Sequence, residues 1–95
     1  MKSEQELREE ICAVARLLWE RGLLGGTEGN LSARIGPHML LCTPAGVQKG
    51  ALRPADLVVI DEEGVPLRHG NPSSEIRLHL RIYKRRPDCH AVVHA

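Results

Sequence analysis

Near the start of the chain, apolar positions recur at helical spacing: Leu7, Ile11, Val14, Ala15 and Leu18 fall on one face of a 3.6-residue period. Just ahead of them stand Ser3 and Glu6, the spacing of a capping box in which each side chain satisfies the other residue's backbone N–H. The pattern predicts a helix to about Arg21 with Gly22 as its C-cap. The period then changes to two. Leu31, Ala33 and Ile35 alternate with Ser32 and Arg34 as in a half-buried strand, Gly36-Pro37-His38 turns the chain, and Met39 to Thr43 returns as a second, more buried strand. Pro44-Ala45-Gly46 makes another tight turn with free N–H groups at 45 and 46. A connection over 49–57 that contains Pro54 leads to a third strand at 57–61. Glu62-Glu63-Gly64 follows as a hairpin turn, and Val65-Pro66-Leu67 as a short edge strand, because proline is tolerated mainly at edges. Helical spacing resumes from about Ser74 to Lys84, with Ile76, Leu80 and Tyr83 on one face, and Arg86-Pro87-Asp88 stops it. The run from Cys89 to Ala95 predicts a last strand. The order is helix, three or four strands, helix, strand: an α/β arrangement with early antiparallel hairpins and a helix-bearing crossover before the final strand. The sequence stops inside that apolar run, where natural termini are usually polar, so the expectation is a chain truncated at its C-terminus.

Composition narrows the function classes. The chain has 95 residues, enough for one small domain, with no internal repeat and no low-complexity linker. Aromatic residues are limited to Trp19 and Tyr83, so the core must be aliphatic and stacking on nucleic-acid bases is disfavoured. A net charge of +1 gives no strong field toward nucleic acid or a membrane. No apolar run approaches a membrane span, and Met1 to Glu6 is too acidic and polar for a signal peptide. Cys12, Cys42 and Cys89 are odd in number and scattered, which describes thiols rather than a disulfide framework. Together these features predict a cytoplasmic protein.

The candidate chemistry lies in loops. Pro72-Ser73-Ser74-Glu75 packs two hydroxyls, several N–H donors and a carboxylate at a helix start, where unpaired N–H groups and the helix dipole attract anions. A phosphate on Ser73 and Ser74 would leave Glu75 facing the carbon it carries. The plain structural alternative is that a serine is an N-cap and Glu75 a first-turn acid. Two other element boundaries share the character of small residues and backbone donors: Gly29-Asn30, at the end of the glycine-rich stretch 25–30, and Ala45-Gly46. If the three meet, they form an anion pocket. Among the histidines, His38 and His69 lie in polar loops, and His79 sits on the apolar face of the second helix as a packed histidine. His90 and His94 share one side of the last strand, about 13 Å apart at roughly 3.3 Å per residue, too far to ligate one metal together. His94, at the strand end, is the better ligand candidate. With Glu75 it makes a pair, one or two short of the set zinc requires.

The motifs Gly29-Asn30-Leu31-Ser32, Thr43-Pro44-Ala45-Gly46, Asp56-Leu57-Val58, Pro72-Ser73-Ser74-Glu75, His79, Tyr83, Arg86-Pro87-Asp88 and Ala91-Val92-Val93-His94 occur in one order. Their order and spacing resemble the class II aldolase/adducin family over nearly the whole chain. The resemblance implies a three-layer α/β/α fold around a largely antiparallel sheet, with this chain as the N-terminal portion of the domain. It implies a zinc-dependent aldolase that reversibly cleaves a ketose 1-phosphate, such as L-fuculose 1-phosphate, to dihydroxyacetone phosphate and an aldehyde. Phosphate would lie on Gly29, Asn30, Ala45, Gly46, Ser73 and Ser74, and Glu75 would be the catalytic acid–base and neighbour the metal. His94 would be the first zinc histidine, with the remaining histidine ligands beyond this chain. Ala45 stands where the fuculose phosphate enzymes carry a hydroxyl, and Glu75 stands where the pentulose-phosphate epimerases carry Asp. That epimerase activity, methylthioribulose-phosphate dehydration and a non-enzymatic, adducin-like interaction module are the alternatives. Family members are commonly homotetramers, so a homo-oligomer with a small-molecule sugar phosphate as its partner is implied.

Overall fold

The computed structural model describes residues 2–25 and 27–95; Gly26, within the glycine-rich stretch, lies outside them. Helix α1 spans Glu4–Glu20, and its capping box forms as expected: Ser3 Oγ accepts from Glu6 N at 3.1 Å and Glu6 Oε1 accepts from Ser3 N at 3.1 Å. The C-cap is Arg21, one position earlier than the Gly22 expected from the sequence, and Gly22, at φ +74°, follows it in the left-handed region. Strands β1 (Asn30–Gly36), β2 (Met39–Cys42) and β3 (Val58–Asp61) come next, with short 3-10 turns at Lys49–Ala51 and Pro54–Asp56 inside the connection. Helix α2 (Ile76–Arg85) and strand β4 (Ala91–His94) complete the order.

The four-stranded sheet runs β3-β2-β1-β4, and every neighbouring pair is antiparallel. The segment carrying α2 therefore crosses from one edge of the sheet to the other. Alternation along the strands sorts side chains between two layers. Leu31, Ala33, Leu41 and Val59 pack with Ile11 and Ala15 of α1, while Leu40, Cys42, Val58 and Ile60 pack with Ile76 and Tyr83 of α2. The architecture is thus α/β/α in three layers. β1 is not half-exposed: Ser32 is 1% accessible, because α2 covers the face on which its polar residues were expected to meet solvent. Val65-Pro66-Leu67 does not form a full edge strand. It makes one bridge, Ile60 to Pro66, flanked by Asp61 N–H to Val65 O and Leu67 N–H to Val59 O, and Pro66 has no N–H to extend it.

One residue joins the ends of these elements. Thr43, fully buried just past β2, donates its N–H to Leu31 O at 3.0 Å. The return bond from Leu31 N goes to the Thr43 hydroxyl at 3.2 Å. The Thr43 carbonyl is thereby left to accept from Ser73 N at 3.1 Å. With Ala45 N–H donating to Asn71 O at 2.9 Å, this makes an antiparallel bridge between Pro44 and Pro72 and draws the loop before α2 onto the turn after β2. A Thr43→Val variant keeps the shape and leaves the buried Leu31 N–H unpaired. It is expected to lose about 1–3 kcal/mol of stability by urea unfolding; an unchanged midpoint would contradict the joint.

Candidate active site

Sheet register places the site at one end of the sheet. Asn30 opens β1 and His94 closes β4, and the two are antiparallel partners. Thr43, at the same end, brings in the loops that follow β2 and precede α2. A cavity of about 430 Å³ lies there, lined by Gly29, Asn30, Ala45, Gly46, Ser73, Ser74, Glu75 and His94 among others. Every residue nominated from the sequence for phosphate, acid–base chemistry or metal thus reaches one cavity. Two larger clefts, of about 810 and 1080 Å³, flank α2 and α1 and gather none of them.

Gly29 has a geometric reason. Its φ is +83°, and a Cβ there would stand 2.3 Å from Leu24 Cδ2 and 3.2 Å from His94 O. Any side chain would displace the Leu24 side chain, crowd the His94 carbonyl and strain the backbone at this φ. Ala45 lines the cavity, but its N–H is engaged with Asn71, so of the two turn N–H groups expected to be free only that of Gly46 lacks a partner among the described residues. Ser73 N–H is likewise engaged by Thr43 O, while its hydroxyl accepts from Glu75 N at 3.3 Å and keeps its own proton to donate. Helix α2 begins at Ile76, two residues later than the spacing suggested, and its N-cap position is Glu75 rather than a serine. The Glu75 side chain makes no cap bond. Its Oε2 instead approaches His94 Nδ1 at 3.2 Å.

That approach lacks hydrogen-bond alignment, and His94 Nδ1 is a buried nitrogen with no partner among the described residues. A carboxylate oxygen beside an unpaired imidazole nitrogen is a donor set suited to zinc. Two ligands about 2.0–2.1 Å from a tetrahedral zinc stand roughly 3.3–3.4 Å apart, close to the separation seen here. The pair fits in kind but not in number: no group of three or more His, Cys, Asp or Glu side chains able to hold a metal occurs among the described residues.

Behind the cavity runs a buried polar chain that sequence reasoning did not anticipate. The His79 Nε2–H bonds to Asn30 Oδ1, Ser32 Oγ lies 2.6 Å from His79 Nδ1, and Tyr83 Oη lies 2.8 Å from Ser32 Oγ. An amide oxygen can only accept, so the ring proton belongs on Nε2; Nδ1 then accepts from Ser32, which accepts from Tyr83. The result holds the Asn30 amide with its NH₂ free for the cavity. The spacing 30, 32 on a strand and 79, 83 on a helix was visible, but only as a motif and as packing. Burial, reinforced by nearby His94, pushes the His79 pKa from 6.5 down to about 4, and burial pushes the Tyr83 phenol up to about 12. The cysteines take no part: all three are free thiols, and burial raises the Cys42 pKa to about 12.

Comparison with known proteins agrees with this architecture. The Class II Aldolase and Adducin N-terminal domain model matches residues 9–95. The chain is 48% identical over 88 residues to the 5-methylthioribulose-1-phosphate/5-deoxyribulose-1-phosphate aldolase of Rhodospirillum rubrum, covering 93% of this chain and 39% of that protein. It is 41% identical over 85 residues to the methylthioribulose-1-phosphate dehydratase of Methylococcus capsulatus, covering 90% and 42%. The crystal structure of YgbL from Klebsiella pneumoniae superposes with a TM-score of 0.93 at 35% identity, covering 98% of this chain and 45% of that one. The chain belongs to the class II aldolase/adducin superfamily. It spans less than half the length of these relatives. No helix among the described residues is long and apolar enough to cross a membrane.

The buried neutral His79 has a consequence for pH. Its folded pKa lies below the unfolded value, so the unfolded chain binds the extra proton first. The stability it confers is complete above pH 6.5 and is lost as the pH falls from there toward about 4. The loss is on the order of 3 kcal/mol at most, from about 1.36 kcal/mol per pKa unit. Urea unfolding between pH 7.5 and 4.5 should show it, and His79→Gln should flatten it; an equally steep slope in that variant would assign the effect elsewhere.

Proposed function

We propose that this chain supplies the phosphate-binding and acid–base part of a metal-dependent lyase acting on a phosphorylated ketose. The observation that carries the reading is the meeting of residues 29–30, 45–46 and 73–75 with His94 around one cavity. Gly46 N–H, the Ser73 and Ser74 hydroxyls and the Asn30 amide are donors for a phosphate, and they sit beside the N-terminal end of α2. Anchoring the phosphate there turns remote binding into orientation of the reacting carbon. Glu75, unencumbered by a cap bond, is the group that moves a proton to and from that carbon. Glu75 and His94 would hold zinc, with further ligands drawn from residues outside these 95; when bound, zinc supplies Lewis-acid stabilisation of negative charge developing beside the substrate carbonyl.

The relatives guide the choice of substrate. The aldolase and the dehydratase described above share methylthioribulose 1-phosphate in their names, at 48% and 41% identity. We therefore place a 5-substituted ribulose 1-phosphate ahead of L-fuculose 1-phosphate, with aldol cleavage as the first reading. Dehydration of the same substrate is the second, favoured by the dehydratase match. The adducin-like interaction module gains nothing from a carboxylate set against an unpaired buried imidazole nitrogen.

Both lyase readings can be tested with one substrate. A protein carrying these residues at the relatives' full length, loaded with zinc, is expected to release dihydroxyacetone phosphate from 5-methylthioribulose 1-phosphate. Loss of water without that product would select dehydration. Glu75→Gln should lower turnover by about 10²-fold or more. The 95 residues alone should hold no stoichiometric zinc by elemental analysis and show no turnover; one zinc per chain would contradict the incomplete ligand set.

A further inference from the structure

Lys49 is a buried charge that no part of the reading above uses. It is 2% accessible and lines the same cavity. Its Nζ donates to Thr27 O at 3.1 Å and to Val47 O at 3.2 Å. One carbonyl belongs to the loop that leads into β1 and the other to the turn after β2, so the ammonium ties the two loops together. An ammonium has three donors. The third has no partner among the described residues, and no carboxylate there lies within salt-bridge distance of it. Glu28 and Glu75 also line the cavity, yet neither pairs with Lys49.

A buried ammonium without a counter-charge is costly, because two carbonyl dipoles do not replace its hydration or neutralise it. Burial accordingly lowers the Lys49 pKa. The cost is relieved by an anion in the cavity. We propose that Lys49 is the phosphate-recognising cation of this cavity, pairing with a phosphate monoester through its third N–H while its other two hold the flanking loops in place. This rests on the reading of the cavity as a phosphate pocket and deepens it: the neutral donors Gly46, Ser73, Ser74 and Asn30 shape the site, and Lys49 gives it preference for a dianion. Lys49 lies next to Gly50, where a Cβ would meet the Trp19 ring at 2.5 Å, so the chain's single tryptophan packs directly against this turn.

That contact provides the readout. Inorganic phosphate is titrated into the full chain, followed by Trp19 fluorescence and by calorimetry, in the wild type and in the Lys49→Met and Ser73→Ala variants. Lys49→Met is expected to weaken phosphate binding by about tenfold or more, the worth of a charge-assisted hydrogen bond. In the wild type, the Lys49 side-chain ammonium resonance should shift as phosphate is added, a measurement that stands even where Lys49→Met fails to fold. Unaltered affinity in Lys49→Met, or an ammonium resonance that phosphate leaves in place, would overturn the role of Lys49. If Ser73→Ala still weakens binding in that case, the phosphate pocket survives without it. A wild type that binds no phosphate would remove both.

Discussion

The architecture of the site depends on how Thr43 divides its hydrogen bonds. In an antiparallel ladder the carbonyl of Thr43 would accept from Leu31 N; here the hydroxyl takes that bond and the carbonyl turns to Ser73 N. A single buried side chain thus closes the β1–β2 pair and recruits the loop before α2. Without a hydroxyl at this position, either the ladder or the bridge to residues 71–73 loses a partner, and a buried unpaired N–H costs more than most surface contacts give. The requirement is for an extended residue that carries its own acceptor, which a β-branched threonine meets.

Around that joint the polar groups fall into two sets with different work. Asn30, Ser32, His79 and Tyr83 form a chain between β1 and α2 in which each link pairs one donor with one acceptor, and the Asn30 NH₂ is left over for the cavity. Arg34 caps it, with its guanidinium 4.7 Å from the Tyr83 ring centroid and bonded to the carbonyls of Cys89 and Tyr83. Because its three links are buried and paired, the chain stiffens the cavity wall. The cavity-facing set is the reverse: Gly46 N–H, His94 Nδ1 and the third Lys49 donor lack partners among the described residues. Unmet polar capacity concentrated in one cavity, backed by a buried hydrogen-bonded chain, is the pattern expected of a preorganised binding site.

Much of this was legible in the sequence because it is local. The capping box, the change of period from 3.6 to 2 and the turn residues predict the elements from Ser3 to Ala95 within a few positions. The candidate loops were recognised by composition, and their motif order pointed to the superfamily that the family match establishes. What escaped depended on contacts between distant residues. Ser32 and Arg34 carry polar side chains on alternate strand positions and so suggested solvent; only the crossover that lays α2 over them makes that face interior. Lys49 sits in a connection with no periodic signal, and lysine is ordinarily exposed, so nothing in its neighbours announced burial. Glu75 was expected inside the first turn of α2; its place at the N-cap follows from Ser73 being held to Thr43, which delays the helix.

The central claim is that three backbone segments and one strand end form a single oxyanion site. An amide NMR titration of the chain with dihydroxyacetone phosphate tests it most directly. The account predicts saturable shifts confined to residues 27–30, 45–49 and 73–75 and to His94, with the two larger clefts beside α1 and α2 unmoved. Shifts centred on either cleft, or none at concentrations that saturate a phosphate site, would contradict it.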